Sequence, residues 1–176
     1  MSVKPCSILL VVAALCAPAM ASASEIFGGI YAHDVDLVTQ SGIEEGVDLE
    51  LGWRGDRLRF LKAVGSPAPY VLASVNMSGD THFAAAGISW KIGHKFYVRP
   101  GIGLAVHTNP GRVEPGENRI DYGSRLLFEP ELGLGYQASE RFSVEASWVH
   151  LSHATLFSSQ NPGLDTIGVR LNYRLR

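Results

Sequence analysis

From residue 24 onward the chain alternates. In Val47-Asp48-Leu49-Glu50-Leu51-Gly52-Trp53-Arg54 each apolar residue is followed by a charged one or glycine. A β-strand sends successive side chains to opposite faces, so this spacing demands a sheet with one greasy and one polar face. The pattern returns in Lys95–His107, where Phe96, Val98, Ile102, Leu104 and Val106 oppose Tyr97, Arg99, Gly101 and Gly103. It returns in Gly123–Gln137, with Leu126, Phe128, Leu132, Leu134 and Tyr136 opposite Arg125, Glu129, Glu131 and Gln137. Two final segments, Phe142–Ser152 and Asp165–Leu175, repeat it around a loop holding Asn161-Pro162-Gly163.

Three more strands complete the set. Ile26–Val38 is the first, with Phe27, Tyr31, Val35 and Leu37 expected on its apolar face. Thr81–Ile92 is another. Between 57 and 76, Pro67 and Pro69 cannot sit inside a central strand. Either a long strand is broken there, or 55–68 is a connection and the strand is Pro69–Asn76. Both readings give eight strands, an even number, as single-chain outer-membrane barrels have.

Residues 1–23 read as a secretory signal peptide: Lys4, an apolar run Ile8–Ala17, then small-x-small sites ending at Ala21 and Ala23. The expected division is 1–23 signal and 24–176 barrel. Both cysteines, Cys6 and Cys16, fall in the signal, so the mature chain has no disulfide or thiol chemistry. A lipid anchor at Cys16 is the alternative use, with bulky Leu15 against it. A net charge of −2 gives no electrostatic case for nucleic acid.

Alternation alone does not say which face is inside. The turns near 93–95 and 138–140 are short, whereas 39–45, 108–122 and 153–164 are longer. Trp53, Trp90, Phe96, Tyr136, Phe142 and Tyr173 gather near the short-turn end, as an interfacial girdle would. A signal, a girdle and alternating loop lengths together put the greasy face outside. The expectation is an all-β, eight-stranded antiparallel transmembrane up-and-down β-barrel. Its polar lumen is plugged, with Asp48, Glu50, Glu129, Glu131 and Glu145 against Arg54, Arg99, Arg125, Arg170 and Arg174. Eight strands enclose about the space their own side chains fill. A soluble carrier needs the opposite arrangement, greasy inside and polar outside.

Three polar residues break the greasy faces. Val144, Ala146 and Trp148 lead to His150 and Ser152, and Ile167 leads back to Asp165. Polar groups facing lipid are costly unless they serve a purpose. A serine needs a base to take its proton, and the base needs a third group to orient it. His150 and Ser152, two apart on one strand, share a face, and Asp165 starts the adjacent strand at the same height. The three read as a Ser-His-Asp hydrolase constellation on the outside wall, whose expected substrate would be a membrane lipid with an ester bond. The plain alternative is polar rim residues on a non-catalytic barrel serving as a structural or adhesive surface protein.

His150-Leu151-Ser152-His153-Ala154, with Asn161-Pro162-Gly163-Leu164-Asp165 and the closing strand, resembles the C-terminal signature of the PagL family of outer-membrane lipid A 3-O-deacylases. Gly65-Ser66-Pro67-Ala68-Pro69-Tyr70 and Pro100-Gly101-Ile102-Gly103 are also similar to it. The resemblance implies an eight-stranded barrel in the bacterial outer membrane. It further implies hydrolysis of the ester-linked hydroxyacyl chain at the 3-position of lipid A, the lipid of lipopolysaccharide, with no metal and no cofactor. The family's His and Ser match His150 and Ser152. Its third member is usually Glu, where this chain has Asp165. It often has Asn after the serine for oxyanion stabilisation, where this chain has His153, and a later glycine is Thr155. Oxyanion donors are therefore expected at His153, Ala154 and Thr155. His33, His82, His94 and His107 show no metal-ligand spacing. The expected partners are lipid A and the surrounding outer-membrane lipids. A homodimer is neither required nor excluded by the sequence.

Overall fold

The computed structural model describes residues 24–39, 42–109, 119–154 and 162–175. The expected signal peptide, 1–23, lies outside the described residues. Eight strands follow in order: β1 Glu25–Ala32, β2 Val47–Arg54, β3 Ala68–Asn76, β4 Phe83–Ser89 resuming as Ile92–Gly93, β5 Phe96–His107, β6 Leu126–Gln137, β7 Phe142–Leu151 and β8 Leu164–Arg174. Each pairs antiparallel with the next, and β8 returns to β1 in the register Gly28↔Leu171 and Ile30↔Val169. The sheet is thus closed, which leaves no unpaired strand edge to face a bilayer. Trp90 and Lys91 interrupt β4, yet both halves pair with β5.

The alternation sorts as a membrane barrel requires. Leu49, Leu51, Leu104, Val106, Leu134, Val169 and Leu171 are exposed on the outside, while Asp48, Glu50, Arg54, Arg99, Glu129, Glu131, Glu145 and Arg170 are buried within. Burying these charges is tolerable only because they meet opposite charges or hydrogen-bond partners in the lumen. Arg170 lies at the centre: Nε donates to Glu50 Oε1 at 2.8 Å, Nη2 to Glu50 Oε2 at 3.0 Å and Nη1 to Glu131 Oε2 at 2.8 Å. Arg99 Nε donates to Glu145 Oε1 at 2.7 Å, Arg54 pairs with Glu25, and Tyr70 donates its hydroxyl to Glu129. Arg125 is exposed beyond the start of β6 and takes no place in the lumen, contrary to expectation. Tyrosine hydroxyls meet the acids instead, with Tyr31 on Glu50 and Tyr97 on Glu145.

The first strand is a correction. Phe27 and Tyr31, expected on the greasy wall, are each 2% exposed in the lumen, and Ile26 and Ile30 take the outside. Phe27 meets two guanidinium groups, with Arg54 and Arg170 Cζ each 4.6 Å from its ring centre. The aromatic face attracts cations, so the ring belongs with the arginines. The strand also ends at Ala32 rather than Val38, because Asp34 turns the backbone to φ 51°. Of the two readings for 55–76 the second holds: a 3-10 turn, Arg59–Val64, precedes the strand Ala68–Asn76.

At the end carrying the longer loops, a clasp closes the lumen. His33 sits between Asp48 Oδ2, 2.8 Å from Nδ1, and Glu44 Oε2, 3.0 Å from Nε2. Glu44 also accepts from the Asn109 side chain and from the Ile120 and Thr81 backbone. Burial disfavours charge on His33, but its two carboxylate partners outweigh this and raise its pKa to about 9. Burial likewise pushes Glu44 up, and its donors outweigh that and bring it to about 2. Three loops are thereby tied together at the mouth of the barrel.

Candidate active site on the outer wall

Strands β7 and β8 run in register, Trp148 opposite Ile167 and His150 opposite Asp165. Cross-strand neighbours stand about 4.5–5.5 Å apart at Cβ. An aspartate therefore reaches a histidine directly opposite without the extra methylene of glutamate. His150 Nδ1 lies 2.9 Å from Asp165 Oδ1. A carboxylate can only accept, so Nδ1 carries the proton and a neutral ring keeps its lone pair on Nε2. That is the tautomer a general base requires.

Asp165 faces the same side as exposed Ile167 and Val169, yet it is fully buried. The connection between β1 and β2 covers it. Val38 N, Thr39 N and Thr39 Oγ1 donate to Asp165 Oδ2 at 2.9, 2.8 and 2.9 Å. Trp148 Nε1 donates to Oδ1 at 2.8 Å, and the Trp148 ring stacks on His150 at 24° with centroids 6.0 Å apart. Gly163 packs against the same group: at φ 70°, a Cβ there would meet Thr39 Cγ2 at 2.5 Å and His150 Cε1 at 3.2 Å.

Ser152 follows the end of β7 and is half-buried. Its N–H donates to Phe128 O at 3.1 Å and its carbonyl accepts from Phe128 N at 2.7 Å, which pins the serine to β6. Alternation puts it on the His150 side, about 7 Å along the strand. His153, of opposite parity, is fully buried. Ala154 is exposed and turns the chain with φ 51°. Thr155 lies outside the described residues. Below Trp148 the wall is greasy, and Ala146 lines a shallow apolar strip with Val98, Leu134, Tyr136 and Val144. Among the described residues no group of three or more His, Cys, Asp and Glu side chains is arranged to hold a metal ion.

Sequence reasoning placed His150, Ser152 and Asp165 on the outer wall, and the structure puts them at one end of β7 and β8. It missed Trp148 and Thr39. Trp148 shares the parity of His150 two residues away, which was the available signal. Nothing in the polar stretch 39–45 pointed to Asp165.

A closed eight-stranded barrel with a greasy exterior and a buried histidine–aspartate pair at one end of its wall defines a small outer-membrane barrel protein. The comparisons sharpen that class. Residues 46–174 match the family model described as lipid A 3-O-deacylase (PagL), and the chain belongs to that family. It is similar to the lipid A deacylase PagL of Bordetella bronchiseptica, 29% identical over 85 residues. That alignment covers 48% of this chain and 44% of the relative, so the chain spans under half the length of the curated protein it matches. Among solved structures, the outer membrane enzyme PagL superposes with a TM-score of 0.60 at 19% identity, covering 85% of this chain and 98% of that one. Neisserial surface protein A gives 0.56 at 10% identity, covering 88% and 98%. These two likenesses speak to the fold.

Proposed function

We propose that this protein is an outer-membrane esterase that hydrolyses the 3-O-linked hydroxyacyl chain of lipid A, with Ser152 as nucleophile, His150 as general base and Asp165 as orienting acid. Family membership supports the substrate class. The single observation that supports the mechanism is the 2.9 Å contact between His150 Nδ1 and Asp165 Oδ1 on the lipid-facing wall.

In this reading lipid A arrives laterally, its acyl chain along the strip at Ala146. His150 Nε2 takes the Ser152 hydroxyl proton as Oγ attacks the ester carbonyl. Asp165 offsets the imidazolium charge that forms. The tetrahedral oxyanion needs preorganised donors. The imidazolium then protonates the leaving sugar oxygen, and water releases the fatty acid by the same steps in reverse order.

The test is expression in a host that lacks this activity, followed by mass spectrometry of its lipid A. Loss of one hydroxyacyl mass with the wild-type chain, and none with Ser152→Ala or His150→Ala, is the expected result. Unchanged lipid A with a folded wild-type barrel would favour the structural or adhesive reading.

A further inference from the structure

Five donors converge on one aspartate. Asp165 Oδ1 takes His150 Nδ1 and Trp148 Nε1, and Oδ2 takes Val38 N, Thr39 N and Thr39 Oγ1. A carboxylate offers about four lone-pair sites, so this one is saturated. A cross-strand aspartate on a membrane wall has two torsions free to swing away from the ring opposite. Here both oxygens are fixed from outside the His150 contact.

The covering segment is itself held at both ends. His33 is clamped by Asp48 and Glu44, and Asp34 Oδ2 accepts from Ile43 N at 2.7 Å and Glu44 N at 2.9 Å. Val35 N further donates to the Asp165 carbonyl at 2.9 Å. Thr39 is therefore delivered to Asp165 by a braced strap.

From this convergence we infer that Thr39 and Trp148 are positioning residues for the reaction, Thr39 Oγ1 anchoring Asp165 Oδ2 and Trp148 Nε1 anchoring Oδ1 so that Oδ1 stays on His150 Nδ1. The inference rests on the Ser152–His150–Asp165 reading. Neither residue needs to touch the reacting atoms. The two backbone donors cannot be removed by substitution, but these two side-chain donors can. Thr39 also fills the space against Gly163, so its methyl and its hydroxyl have separable jobs: shape for one, a hydrogen bond to a charged acceptor for the other.

Four variants separate these roles: Thr39→Val keeps the shape and removes the donor, Thr39→Ser keeps the donor, Trp148→Phe keeps a ring on His150 and removes the N–H, and Asp165→Asn supplies the background. Each is assayed in mixed micelles on purified lipid A, with heat-modifiable migration to verify folding. Hydrogen bonds to charged groups are the strong ones, so Thr39→Val and Trp148→Phe should each lower kcat on the order of 10-fold, with KM nearly unchanged. Thr39→Ser should restore most of the Thr39→Val loss. In Asp165→Asn, Thr39→Val should cost little more, because a residue acting through another shows a large coupling to it. Wild-type kcat in both Thr39→Val and Trp148→Phe would overturn the inference. So would a Thr39→Val loss that serine does not restore, or one equally large in Asp165→Asn. Should Thr39→Val fail to fold, Trp148→Phe carries the same test. If Ser152→Ala or His150→Ala retains full activity, the mechanism itself is wrong; if both are dead and the Thr39 and Trp148 variants are normal, only this inference falls.

Discussion

Aspartate at position 165 stands one methylene short of the glutamate that the family resemblance leads one to expect. The register resolves the difference, since His150 lies directly opposite and 2.9 Å is reached without extra length. Asp165→Asn replaces an acceptor with a group that can present N–H to Nδ1, reversing the tautomer. General acid–base catalysis contributes about 10²–10⁴-fold, and kcat should fall within that range while the barrel still assembles. Steady-state release of 3-hydroxy fatty acid measures it. The placement of His150, Ser152 and Asp165 at one end of β7 and β8 was legible in the sequence because strand parity is a strict rule: polar residues at greasy parity stand out. The covering role of Thr39 was not legible, because a polar loop carries no period that says where it folds back.

At the scale of elements, Gly163, just before β8, packs closely against Thr39 of the β1–β2 connection. Gly163→Ala adds a Cβ in a left-handed conformation 2.5 Å from Thr39 Cγ2 and 3.1 Å from Leu151 O. Strain of this kind costs about 1–3 kcal/mol, and its nearest neighbours include Thr39 and His150. The expected outcome is a folded barrel with activity well below wild type, read by comparing heat-modifiable migration with turnover. Most strands were readable because charges sort them. β1 was misread because Gly28 and Gly29 interrupt the alternation, leaving Phe27 and Tyr31 as its most conspicuous hydrophobic residues. Their partners, Arg54 and Arg170, come from β2 and β8, and no local pattern announces a ring destined for two guanidiniums. The connection before β3 was left in two forms by its prolines, and the 3-10 turn Arg59–Val64 decided between them.

Across the whole molecule, a charged lumen and a braced mouth hold the wall that presents the site. Arg170 serves Glu50 and Glu131 together, so Arg170→Ala strands two buried carboxylates. Breaking such a buried pair costs about 3–5 kcal/mol, which guanidinium unfolding in detergent should show. On the outside, Val169→Arg should cost about 2–4 kcal/mol if it sits near the bilayer midplane, measured by refolding into lipid vesicles. The mouth responds to pH in both directions. The raised His33 pKa contributes stability that is full below its ordinary value of 6.5 and lost as pH rises through about 9. The depressed Glu44 pKa contributes stability that is full above 4.5 and lost as pH falls through about 2. Protease resistance of the outer loops should therefore be greatest between these limits and decline toward pH 9, and His33→Gln should flatten the alkaline decline.

The most direct measurement of the site is covalent capture. A hexadecanesulfonyl fluoride presented to the folded barrel in micelles carries an alkyl chain for the greasy wall and an electrophile for an activated serine. Peptide mass spectrometry should find one adduct, on Ser152, absent from His150→Ala and much reduced in Asp165→Asn. An unlabelled Ser152 in a barrel that still deacylates lipid A, or an adduct formed equally well without His150, would contradict the assignment of Ser152 as a nucleophile activated on the outer wall.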